Sequence, residues 1–584
     1  MSVHSIGGLV LFNLFLLAVG ASVLWALRGW RSWGELIRLA GVAYMLGVAV
    51  FGSLLVVELV VGLRAGFAAL LLSGGGIVVA GLSAGHLSGR SRPARCGSWR
   101  PGGSALAAVC VAAAAVYFEA LFRAGRLKGL IEWDAWSFWV PKAKAIYYFG
   151  GLDAQFFGGL PGPTYPPLIP ALHASAFHFM GSPDVVSLHL QVWFLFVGFV
   201  GAVVGLLSTR VGWWLLWPFV LLFLVTEAGL QPLADLPLAY FLASGALLVA
   251  IWLVEGEGWQ LAGAGVLLGA ATLTKREGLM LAACILAAAF LASLPRWRTR
   301  WLPFAVASAL AGGLAVTWIA YFSARGYTGW GADAGGFGLF ANAERAWPSL
   351  ELAVSGYFDY DYWFVIPIVS VAAVAIALVA GARLLPVFSL LVLGLFLAGF
   401  TWMTWAFPSL PITKDGAVNP IMRVMRSAEA VSIVLAPLLL QTALSASRGE
   451  SRRRLHVSPA LASARWLIRT ESGWPWLLVP VAALVYPLSN LAGGLPRFPT
   501  RSECIRPATE ARAIEAVFGH LGSLQEAVGL RAKAARVGFQ RVQVVHDGCG
   551  RYKVVIEGIP SLAVGRELLA EAQSVGLAGK LEGG

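Results

Sequence analysis

Long apolar runs joined by short polar connections fill most of this chain. The runs are too long and too uniformly apolar for the amphipathic helices of a soluble core. About fourteen of them are long enough, or nearly so, to cross a bilayer as helices. The first four lie near 6–27, 38–63, 66–86 and 104–124, and a polar stretch follows at 125–184. Six more run at 185–207, 211–228, 233–254, 260–274, 277–294 and 301–323. A second polar stretch covers 324–362, and the last runs are 363–382, 385–407, 423–446 and 473–492. From about 495 the pattern changes to that of a small α+β domain. It predicts a strand near Ile514–His520, a helix at Ser523–Val537 and a strand at Arg541–Val545. A turn at His546–Gly550, a strand at Tyr552–Glu557, a helix at Leu562–Val575 and a short final strand complete it. Asp547-Gly548 and Gly550 supply the turn geometry of a hairpin.

Composition agrees with this pattern. Of 584 residues, 58% are hydrophobic and 12% charged, and the mean hydropathy is +0.75. The class is polytopic α-helical membrane protein, with the lipid bilayer as its solvent. A net charge of +13 would point to an anionic partner in a soluble protein. Here the arginines crowd short connections, which is the bias of cytoplasmic loops and argues against nucleic acid. Arg90, Arg92, Arg95 and Arg100 share one connection, Arg296, Arg298 and Arg300 a second, and Arg448, Arg452, Arg453, Arg454, Arg465 and Arg469 a third. Placing all three inside leaves the N-terminus, both polar stretches and the tail outside. Arg123, Arg126 and Lys128 run against the trend. The parity also needs 260–274 and 277–294 to be two short helices broken at Lys275–Arg276. The N-terminal run is expected to stay as a helix, since it lacks a basic leader and is followed by Arg28 and Arg31.

Cys110 and Cys284 sit in apolar runs as packing residues, and Cys96 lies in a basic connection. Cys504 and Cys549 could form a disulfide if the tail faces an oxidising compartment. His173, His178 and His189 do not share one helical face, so no metal site is expected from them.

The candidate chemistry lies in the first polar stretch, in EWDAWSFWVPKAKAIYY at Glu132–Tyr148 and TYPPLIPALH at Thr164–His173. Asp134 is either a helix cap or partner of Lys142 or Lys144, or a general base at the water–lipid boundary. Trp133, Trp136, Trp139, Tyr147 and Tyr148 offer flat faces to a sugar or to lipid, and equally fit an interfacial aromatic belt. Asp235, in QPLADLPLAYF, is an acid near a helix end or a cap before Pro237. Lys275 and Arg276, in TLTKREGL, are costly between apolar helices unless solvated or paired, and Glu277 is an adjacent partner. Arg423 and Arg426, in NPIMRVMRSAEA, are either anion-gripping groups or anchors paired with Glu429.

Taken in order, the acid of the first external loop, the YPP-L-P segment and the LTKREG break resemble the GT-C superfamily of glycosyltransferases. The nearest likeness is to bacterial enzymes similar to protein O-mannosyltransferases and the lipid A aminoarabinose transferase. It covers roughly residues 104–430. The resemblance implies a sugar passed from a polyprenyl-phosphate carrier to a glycan, lipid or protein acceptor on the periplasmic face. It implies Asp134 as the catalytic acid position, with Glu132 leaving the choice of base open and Asp235 as a second acid. Lys275, Arg276, Arg423 and Arg426 would bind the donor phosphate. Trp133, Trp136, Trp139, Lys142, Tyr165, Pro166 and Pro167 would shape the substrate loop. No cofactor is certain, and a divalent metal stays open because relatives differ in needing one. The tail resembles a SPOR domain, a ferredoxin-like module that binds peptidoglycan. The expected organisation is extra helices over 1–103, a core over 104–494 and a periplasmic domain over 495–584 of a multi-pass inner-membrane protein. The rival is a transporter or a lipid-linked-sugar flippase, suggested by Glu58, Glu119, Glu227 and Glu429 in or beside apolar runs. No internal repeat of the hydrophobic pattern supports it.

Overall fold

A computed structural model describes residues 3–90, 105–125, 130, 132–226, 230, 232–327, 342–406, 420–447, 514–546 and 552–582. The first part of the bundle runs α1 (Val3–Leu27), the short α2 (Trp33–Arg38), α3 (Ala40–Val60), α4 (Phe67–Leu87) and α5 (Ala105–Gly125). A π-helical turn at Ala135–Trp139 leads into α6 (Val140–Phe149), then α7 (Ala154–Gly159) and α8 (Leu168–Met180). The middle is α9 (Leu188–Leu207), α10 (Trp213–Thr226), α11 (Asp235–Glu255), α12 (Gly258–Thr272), α13 (Arg276–Ser293) and α14 (Trp297–Ala324). The last helices before the tail are α15 (Ala346–Tyr357), α16 (Tyr360–Trp363), α17 (Ile366–Val379), α18 (Leu384–Ala406) and α19 (Pro420–Ser447).

Among the described residues nine helices are long and apolar enough to cross a membrane, or ten if a pair bent by 115° near Trp363–Ile366 is one span. The hydropathy pattern suggested more. Three of the runs it counted form helices of only 14 or 15 residues, namely α10, α12 and α17, and 473–492 lies outside the described residues. The polar stretch 125–184 is also not an open loop. Its second half is α8, buried along almost its whole length against α1, α3 and α6. Its apolar LIPALHASAF supplies enough hydrophobic surface to fold inward.

At the centre stands α11, whose most apolar window is 94% buried. It is apolar all round because it has protein on every side, and it packs on α9, α12, α13 and α19. Tyr240 stacks on Phe199 at 4.5 Å and on Phe196 at 5.5 Å, joining α11 to α9. Glycine brings the N-terminal helices in close. A Cβ on Gly47 would lie 1.9 Å from the Leu16 carbonyl oxygen, and one on Gly20 would lie 1.6 Å from that of Ala43. Backbones therefore touch where α1 crosses α3, the small-residue packing favoured where water provides no drive between helices.

The tail folds as β1 (Ile514–Leu521), α20 (Leu524–Arg536), β2 (Gln543–His546), β3 (Tyr552–Ile559), α21 (Leu562–Ser574) and β4 (Lys580–Glu582). The sheet order is β2-β3-β1-β4, with β1 antiparallel to both β3 and β4. This is the split β-α-β arrangement. Ser523 and Ser561 cap the two helices by accepting from the amides of Glu526 and Val564. The hairpin turn and Cys549 with it, and Cys504, lie outside the described residues.

Because α1 and α3 meet backbone to backbone, Gly47→Val should force them apart. Overpacking of this kind costs about 1–3 kcal/mol. A thermal melt in detergent should show the loss, while Gly75→Val on α4, where a Cβ meets nothing within 4 Å, should leave the melt almost unchanged.

Candidate active site

Charges that are far apart in the sequence meet where α11, α13 and α19 begin. Asp235 is the first residue of α11, not its cap, and is 7% exposed at its side chain. Lys275 Nζ donates to its Oδ1 at 2.8 Å, and Arg423 Nη2 donates to its Oδ2 at 2.5 Å. The same Arg423 nitrogen lies 2.6 Å from Asp134 Oδ2. Glu277 adds a second carboxylate 3.5 Å from Lys275. The result is one chain of alternating charge, Asp134–Arg423–Asp235–Lys275–Glu277, drawn from four segments. Lys275 reaches it because the break between α12 and α13 holds it extended, at φ −153 and ψ 156. The expected Lys275–Glu277 contact is therefore the weaker of two.

Asp134 is presented by the π-helical turn. Pro141 has no N–H to return to the Ser137 carbonyl, which opens the helix there, and Val140 N–H bonds to the Ala135 carbonyl instead. Asp134 does not pair with Lys142. That lysine is fully buried and donates to the Gly162 carbonyl at 2.8 Å, among Phe138, Trp139 and Phe157. Burial pushes its ammonium down from 10.5 to about 7.

The loop before α8 is stitched to the helix break. Leu168 N–H bonds to the Leu273 carbonyl at 3.2 Å. Arg276 donates to Thr164 Oγ1 at 3.4 Å, and Trp318 Nε1 donates to the Thr164 carbonyl at 2.9 Å. Tyr165 lies flat on Phe138 with its ring 6.0 Å from Lys275 Nζ, and burial beside Glu277 raises its phenol to about 12. Gly162 has φ +61, and a Cβ there would meet the Tyr165 ring at 2.5 Å, so only glycine allows this stack. Pro166 and Pro167, next in the chain, are buried. Thr164, Gly162 and Trp318 were not singled out in the sequence, where nothing distinguishes them from ordinary loop and core residues.

The remaining candidates separate by exposure. Trp133 and Trp136 are 44% and 52% exposed. Trp139 is fully buried, so its ring packs the interior and offers no face to a ligand. Glu132 takes no part in the charge chain. Arg426 lies 5.9 Å from the Trp363 ring. It does not satisfy Glu429, which is buried with no hydrogen-bond partner for either oxygen among the described residues. Glu58 accepts from Ser73 at 2.6 Å and Glu119 pairs with Arg123 at 2.5 Å, while Glu227 lies outside the described residues. In the second polar stretch, Tyr327 donates to the Ala154 carbonyl, Tyr357 to Ser432, and Asp359 caps α16. Asp333 and Trp330 lie outside the described residues. His173 and His189 are buried, and among the described residues no group of three or more His, Cys, Asp or Glu could hold a metal.

No family model, no curated protein and no solved structure matches this chain. The fold itself defines the class: a membrane-embedded protein of many apolar helices with a small C-terminal sheet domain. Within that fold, a partly buried ion-pair chain gathers where α11, α13 and α19 begin.

Two outcomes follow from this geometry. Arg423→Gln leaves Asp134 and Asp235 without their shared cation and should cost about 3 kcal/mol, the lower end for breaking a buried pair. Adding Asp235→Asn should recover part of that loss in detergent melts, as coupled neighbours do. For Lys142, the unfolded chain binds the extra proton between about pH 7 and 10.5, so stability should rise with pH across that window. Lys142→Met should flatten the rise, measured as melting temperature against pH relative to wild type.

Proposed function

We propose that the protein is a membrane glycosyltransferase that moves a sugar from a polyprenyl-phosphate carrier to a glycan, lipid or protein acceptor outside the membrane. The observation that carries this reading is the single charge chain at the head of α11, α13 and α19. It gathers a partly exposed carboxylate, Asp134, beside two cations, Lys275 and Arg423. Proton abstraction and phosphate departure need those two functions next to each other.

In the proposed reaction an acceptor hydroxyl attacks the anomeric carbon and its proton passes to the Asp134 carboxylate. The new carbon–oxygen bond forms as the bond from that carbon to the phosphate oxygen breaks. The electron pair leaves with the polyprenyl phosphate, whose added negative charge Lys275 and Arg423 offset, and the anomeric centre inverts. Trp133 and Trp136, exposed beside Asp134, suit the faces of a sugar or the lipid boundary. Asp235 holds Lys275 and Arg423 in place and is too buried to meet an acceptor. We place this face and the tail in the periplasm of an inner-membrane protein on the strength of the arginine distribution. The β-α-β-β-α-β order of the tail supports a SPOR-like, peptidoglycan-binding role, which would favour an envelope polymer as acceptor.

A second reading, as a transporter or flippase, is favoured by one observation: Glu429, buried inside α19 with no hydrogen-bond partner among the described residues. The deciding experiment follows release of polyprenyl phosphate from radiolabelled polyprenyl-phosphate sugars in nanodiscs. The transferase reading expects Asp134→Asn to keep the fold and lose activity by about a hundredfold or more, as removal of a general base does. Release unaffected by Asp134→Asn would overturn Asp134 as the base, and intact donor crossing the bilayer with no release from either protein would overturn the transferase and leave the transporter.

A further inference from the structure

Arg423 has two acidic partners of unequal standing. Asp235 is 7% exposed at its side chain and is held by Lys275 as well. Asp134 is 19% exposed, and among the described residues Arg423 is the cation it contacts. Arg423 itself is 26% exposed, more than Lys275 at 8%. The chain of charge therefore has a fixed inner half, Asp235 with Lys275, and an open outer half, where Arg423 and Asp134 face an arriving ligand.

A guanidinium presents several donors in one plane and binds phosphate oxygens in pairs. A phosphate that reached Arg423 would compete for Nη2, the nitrogen both acids share, and Asp134 is the more exposed of the two and so the one to give way. Asp235 would not be displaced, since its place is also fixed by Lys275. From this we infer that Arg423 is an exchangeable clamp: it ties Asp134 in the empty site, and an incoming lipid phosphate takes its place and frees that carboxylate.

The inference rests on the glycosyltransferase reading and adds an order to it. While tied to Arg423, the Asp134 oxygen is occupied by the guanidinium and is not open to an acceptor hydroxyl. Once phosphate holds the arginine, that oxygen is released and can meet the acceptor hydroxyl. The base is thus armed only when donor is present. Donor binds first, and acceptor deprotonation follows. No bond is made or broken in the exchange itself; one ion pair replaces another.

The test needs binding alone. A long-chain polyprenyl monophosphate is titrated onto the full-length protein in nanodiscs, with the fold of each variant checked by thermal melt. Asp134→Asn removes the competitor and should tighten binding by about tenfold, the scale of a close charge pair. Asp134→Ser is expected to repeat the gain, which covers the case in which one variant folds poorly. Glu132→Gln removes the same charge two residues away, outside the pair, and should change affinity by less than about twofold. Arg423→Gln should weaken binding. If wild type binds but neither Asp134 variant binds more tightly than Glu132→Gln, the clamp is wrong and the transferase reading stands. If Arg423→Gln binds as well as wild type, the clamp is likewise wrong. If wild type and every variant fail to bind the lipid phosphate, both the clamp and the reading beneath it fall.

Discussion

The two-cation grip on Asp235 is the constraint on which the functional end of this molecule depends. A carboxylate at the head of the most buried helix carries a large desolvation cost, and one cation beside it would leave a lone pair unsatisfied. Lys275 and Arg423 meet its two oxygens separately. Each brings a different helix: Lys275 fixes the break before α13, and Arg423 fixes the start of α19. The stitching of the Thr164–Leu168 loop to that break then sets the position of Tyr165, and through its ring contacts that of the π-helical turn carrying Asp134. The site is built outward from one buried acid.

How much of this the sequence disclosed depended on the range of the interaction involved. Helices and tail strands follow local periodicity, so α13, α19, β1 and β3 lie close to where the pattern put them. The break at Lys275 was also legible, because a charged Thr-Lys-Arg-Glu run cannot continue an apolar helix unnoticed. Partnership was not. Lys142 and Asp134 are eight positions apart on one segment, which made them natural partners, yet across the wide turn Lys142 meets the Gly162 carbonyl and Asp134 meets Arg423. Arg423 was paired in expectation with Glu429, six positions on, when its partners lie 188 positions or more before it. Nor does a tryptophan's letter say whether it is an exposed face, as Trp136 is, or interior packing, as Trp139 is.

Burial of α8 is the other feature the pattern misread, and it has a physical cause. Flanking loops of high polarity made 125–184 read as one polar stretch. Thirteen residues are too few to span a bilayer, but they suffice for a helix whose apolar side chains pack against α1, α3 and α6 while its start is tied to the Leu273 carbonyl. A segment of that length has a third option between loop and span.

That same packing gives the N-terminal helices a part in the fold's assembly. Tyr44 donates to Asn13, and Asn13 donates to Gln191, a residue 178 positions later. An amide in hydrocarbon needs partners, and here each partner comes from a different helix. The glycine crossing of α1 and α3 brings Tyr44 within reach of Asn13, and Gln191 closes the set from α9. Three polar side chains thus make a keystone that a purely apolar interface would lack: it admits one register of α9 against the first hairpin and no sliding.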